Sequence, residues 1–197
     1  MQSVAPHSSL RRVVALVAML NLGYFAIEFA IGRTIGSVSL FADSIDFLED
    51  AAVNFLILVA VGWSERNRAR VGMLLGALLL VPGITTLVTA WHKFQLPIAP
   101  DPRLLSWTGV GALAVNLFCA LLLARYRHHR GSLTKAAFLS ARNDALANVA
   151  IIVAGVVTAW APSAWPDLVV GLGIAVMNAD ACREVWEAAR EEHRAEP

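Results

Sequence analysis

The stretch VSLFADSIDFLEDAAVNFLILVAVGW, residues 38–63, sets four carboxylates inside an apolar run long enough to cross a bilayer. Near the bilayer centre each charge costs at least about 2.5–3.5 kcal/mol, so such residues are functional candidates by default. Asp46 and Asp50 are one helical turn apart and share a face. At a rise of about 1.5 Å per residue they lie roughly 12 and 18 Å from Val38, mid-depth in a hydrocarbon core about 30 Å thick. Two desolvated like charges there need protonation, a basic partner or a bound cation. Asp43 and Glu49 admit two readings: a functional one, or a structural one as a partner of Arg142 or a cap on a broken helix.

Outward from this run the chain repeats the pattern. Apolar segments at 12–31, 38–63, 70–91, 104–124, 133–160 and 166–183 predict an all-α, polytopic membrane protein of six helices. Gly32–Gly36, the polar Ser64–Arg70, Pro97–Pro102, the basic Arg125–Ser132 and Pro162–Pro166 separate them. Hydrophobic residues are 57% of the 197 and charged ones 16%, against about 25% charged in soluble domains. That balance excludes a soluble enzyme, a disordered chain and a secreted disulfide scaffold. Net charge of +1 gives no case for a nucleic-acid partner. Cys119 and Cys182 read as small buried hydrophobes.

Basic residues set the orientation. Arg11, Arg12, Arg66, Arg68, Arg70, Arg125, Arg127, Arg130, Lys135, Arg183, Arg190 and Arg194 fall on one side, and only Arg33, Lys93 and Arg103 on the other. The positive-inside rule then places both termini in the cytoplasm. Residues 1–11 form a short cytoplasmic segment, 12–183 the six-helix domain, and 184–197 a charged tail too short for a core of its own.

Helix five carries the matching chemistry. Asp144 lies at comparable depth, with Ser140 one turn before it and Asn148 one turn after on the same face. Packed against helix two, it would bring three carboxylates and a hydroxyl together. An all-oxygen set suits hard ions such as Mn2+ or Mg2+, whereas Zn2+ and Co2+ more often recruit imidazole. Asn21, Asn54 and Asn116 read as interhelical hydrogen-bond donors. Glu28 reads either as a structural partner or as a group near the outer mouth. His128 and His129 read as a solvated pair with a loose capacity for metal, and His7 and His193 as inert. Gly72 and Gly76 permit a close helix approach.

These motifs resemble the cation diffusion facilitator family along nearly the whole chain. NLGYFAIEFAIGRTIGSVSLFADS (21–44) is similar to that family's first span and following turn. Asp46 and Asp50 stand at its (His/Asp)-x-x-x-Asp, and FLSARNDALANVAIIVAG (138–155) is similar to its His/Asp-x-x-x-Asp helix. Pro166-Asp167 and GLGIAVMNADACREVWEAA (171–189) are similar to its sixth span. The resemblance implies a divalent-cation/proton antiporter of the bacterial inner membrane, a homodimer, and alternating access at Asp46, Asp50, Ser140 and Asp144. The cargo would be Zn2+, Co2+, Mn2+, Fe2+ or Cd2+, with no prosthetic group. Two departures accompany it. Ser140 replaces the usual His or Asp, and the family's cytoplasmic domain after helix six has no counterpart in these residues.

Two other readings compete. A non-transporting metal sensor or partner subunit fits Ser140 and the shortness. An intramembrane aspartyl hydrolase would need Asp residues on two helices sharing a proton, but no Gly-x-Gly-Asp occurs.

Overall fold

The computed structural model describes residues 5–59, 83–124 and 131–178, with side chains for all of these except 5–10, 56, 57, 59 and 131–142. Its described elements are helices: α1 Ala5–Ile35, α2 Val38–Val59, α3 over 83–95, α4 Pro102–Ala124, α5 Gly131–Trp160 and α6 Trp165–Asn178. Ser64–Arg70, Gly72, Gly76, His128, His129, His193, Cys182 and the tail 184–197 lie outside the described residues, as does the His7 side chain.

The break between α1 and α2 is narrower than expected. Helix α1 continues through Gly32 and Arg33 and ends only at Gly36, whose φ of 62° lies in the left-handed region that glycine adopts freely. The Ser37 N–H then donates to the Gly32 carbonyl at 2.9 Å, a Schellman closure. The Ser37 hydroxyl accepts from the Leu40 N–H at 3.2 Å, which caps α2. The chain thus reverses in two residues. At α4, the Asp101 carboxylate accepts from the Arg103 and Leu104 amides at 2.9 Å, with Pro102 at the first helical position.

Helix α1 packs on α2 and α4, α4 on α5, and α5 on α2. Leu40, Ala42, Leu105, Ala147, Ile151, Ala154 and Ile174 form a core shared by α2, α4, α5 and α6, with Ile31, Ile35 and Val170 against it. Arg11–Ile35, Pro102–Ala124 and Asn143–Trp160 are long and apolar enough to cross a membrane, and Trp165–Asn178 is a shorter apolar helix. Helix α2 has the length but carries four carboxylates.

Three connections meet at one end of the bundle. Lys93, near the end of α3, pairs with Asp167 of α6 at 2.6 Å and donates to the Gly36 carbonyl at 2.7 Å. Asp167 also accepts from the Ser37 and Ser39 hydroxyls, both at 2.6 Å, and from the Val38 and Ser39 amides. Its charge therefore sits on the positive end of the α2 dipole. Trp91, Trp107, Trp160 and Trp165 stand exposed near this end, as aromatic side chains do at a membrane–water interface.

Candidate cation site between helices two and five

Helix α2 turns its acids inward because its other faces are apolar. Asp43 is fully buried, and Asp46, Glu49 and Asp50 are partly buried. The i, i+4 spacing keeps Asp46 and Asp50 on one face, and the packing of α2 on α5 brings that face toward Asp144, itself partly buried. Asp46 is in Coulombic reach of Asp43, Asp144, Glu49 and Asp50, and Asp144 of Asp50, Asp43 and Glu49. Among the described residues every charged group facing these carboxylates is another carboxylate. Such a concentration of one sign inside an apolar bundle attracts a cation.

Ser140 lies one turn before Asp144 in α5, and its side chain and that of Arg142 lie outside the described residues. Among the described residues no three His, Cys, Asp or Glu side chains are gathered closely enough to hold a metal ion. The carboxylates thus share an electrostatic neighbourhood without a closed coordination shell, and binding would need their side chains to turn toward a common point.

The asparagines differ from expectation. Asn54 donates to the Asp50 carbonyl at 2.8 Å and Asn148 to the Asp144 carbonyl at 2.7 Å, both within their own helix rather than between helices. These bonds brace the backbone turn that carries each carboxylate. Asn21 is fully buried with neither side-chain atom hydrogen-bonded. Between helices, Asn178 of α6 donates to the Ala42 carbonyl of α2 at 3.5 Å, and the Tyr24 hydroxyl donates to the Thr108 carbonyl at 2.6 Å and ties α1 to α4. Its ring stacks at 5.0 Å from Phe47, which lies between Asp46 and Asp50 in sequence.

Sequence reading passed over the Lys93–Asp167 pair. A lone lysine after the third apolar run counted only toward orientation, and Asp167 entered only as part of the sixth span's resemblance. The available signal was Ser37-x-Ser39 at the start of α2, two hydroxyls that call for an acceptor.

A family profile described as the cation efflux transmembrane domain matches residues 14–191. Zinc transporter ZitB of Yersinia pseudotuberculosis serotype I (strain IP32953) and zinc transporter ZitB of Yersinia pestis are each 30% identical, over 79% of this chain and 54% of the relative. The chain thus spans about half the length of the curated relatives it matches.

Proposed function

The chain belongs to the cation efflux family, an integral membrane family, and on that premise we propose that it exports a divalent metal cation from the cytoplasm in exchange for protons. The observation that carries this reading is the convergence of Asp46, Asp50 and Asp144 from two packed helices, with no basic side chain facing them among the described residues. Ser140 takes the fourth position, one turn from Asp144, as a neutral ligand. The ZitB relatives are named zinc transporters, which makes Zn2+ the first ion to test, ahead of Co2+, Mn2+, Fe2+ and Cd2+. An all-oxygen set without imidazole favours the harder ions of that group.

The cycle follows from shared ligands. With the site open to the cytoplasm, the carboxylates lose protons as the cation binds. The bundle then rocks, and external protons displace the cation on the other side. Because protons and metal compete for the same oxygens, the two fluxes are coupled. Both termini face the cytoplasm, and two copies form the working unit. Proteoliposome flux across a panel of the five ions under an imposed pH gradient tests this. Uptake of at least one ion that reverses when the gradient reverses is the expected result. Metal binding without flux for every ion would favour the sensor or partner-subunit reading, and peptide cleavage by the purified chain would revive the hydrolase.

A further inference from the structure

The seam between α1 and α2 holds a second pair of carboxylates that the four-residue site does not use. Glu28 and Asp43 are fully buried and lie in Coulombic reach of each other across the seam between the two packed helices. Neither carboxylate receives a hydrogen bond from any protein donor. The groups around them add no positive charge. Asp46 faces Glu28, Asp144 faces Asp43, and Tyr24 faces both with its hydroxyl already donated to Thr108. Lys93, the buried cation among the described residues, is committed to Asp167 and Gly36.

Two neighbouring buried carboxylates that no protein donor reaches need a positive charge between them. We propose that Glu28 and Asp43 form a second cation-binding site, which holds a proton or the transported divalent ion, between the Gly36 turn and Asp46. Counted along the helices, the pair lies roughly 10–12 Å from Gly36 and Asp46 roughly 15 Å, so it is the station nearer the Gly36 end. Glu28 and Asp46 are in Coulombic reach of each other, so a cation at one station changes the potential at the other. This inference rests on the transport reading above.

The test uses the full chain in lipid nanodiscs, with the four-residue site disabled by Asp50→Asn and Asp144→Asn. Equilibrium dialysis against Zn2+, Co2+, Mn2+, Fe2+ and Cd2+ in turn detects a metal, and infrared difference spectroscopy detects a protonated carboxyl group. A metal occupant leaves a residual bound ion whose affinity falls about tenfold or more with Glu28→Gln. A proton occupant leaves no residual ion but a carboxyl band that Glu28→Gln or Asp43→Asn removes. Absence of both signals overturns the proposal. The double variant Glu28→Gln/Asp43→Asn carries no buried charge at the pair and keeps its shape. It is expected to elute as wild type on size exclusion, which separates site loss from misfolding. If wild type binds none of Zn2+, Co2+, Mn2+, Fe2+ and Cd2+ yet shows the carboxyl band, the transport reading fails alone. If wild type binds one of these ions and Glu28→Gln alters neither signal, only the second site falls.

Discussion

At the scale of single residues, Ser140 is the proposed ligand that departs furthest from a zinc site with imidazole. A serine hydroxyl is a weak neutral ligand, whereas imidazole is the usual nitrogen donor for Zn2+. Ser140→His is therefore expected to tighten Zn2+ binding by about tenfold or more, measured by equilibrium dialysis on the purified chain. Unchanged affinity would remove Ser140 from the site. Binding should also weaken as pH falls, because the ligand oxygens must be deprotonated to take the metal. An affinity independent of pH would break the link between cation and proton flux. Asp46, Asp50 and Asp144 stood out in sequence because a charge inside an apolar run has few inexpensive explanations, and the packing of α2 on α5 puts them in Coulombic reach of one another. Glu28 and Asp43 were seen as anomalies, but their contact depends on how α1 meets α2, which no local spacing encodes. Asp167 was missed because its partner, Lys93, is 74 residues away.

At the scale of elements, the end where three connections meet fixes the depth of the α2 carboxylates. Asp167 occupies the first turn of α2 and Lys93 neutralises it, so α2, α3 and α6 are locked at one end. Lys93→Met leaves a buried carboxylate without its counter-charge and is expected to cost about 3–5 kcal/mol, read as earlier thermal unfolding in nanodiscs. Unfolding at the wild-type temperature would mean the pair is not a staple. Close approach does the same work a turn later. A Cβ added at Gly171 would lie 2.6 Å from the Ser39 nitrogen and the Val38 carbonyl carbon, both backbone atoms. Gly171→Ala should push α6 off α2 at a cost of about 1–3 kcal/mol in the same assay. A variant as stable as wild type would contradict that packing. Sequence reading placed the α1–α2 break over five residues because Gly32 and Gly36 look alike as punctuation. Only Gly36 has the left-handed backbone, while Gly32 stays helical where its missing side chain admits Leu40 and Phe41. Neighbouring helices decide between two such glycines.

At the scale of the whole molecule, an apolar bundle with its acids turned inward belongs in a membrane, and membership of the cation efflux family agrees with that. The all-helical class and the polytopic pattern were readable from hydropathy, because each span must satisfy its own backbone in lipid. The pairing of α1 with α4 and of α2 with α5 was not, since every span is similarly apolar and its partner is chosen by shape. That pairing brings α2 and α5 together, and the proposed transport passes a divalent cation between them on Asp46, Asp50 and Asp144. Zn2+ flux into proteoliposomes under an imposed pH gradient, compared among wild type, Asp50→Asn and Asp144→Asn, tests it most directly. The expected result is proton-coupled flux in wild type and flux at the level of empty liposomes in both variants. Wild-type flux in either variant would contradict it.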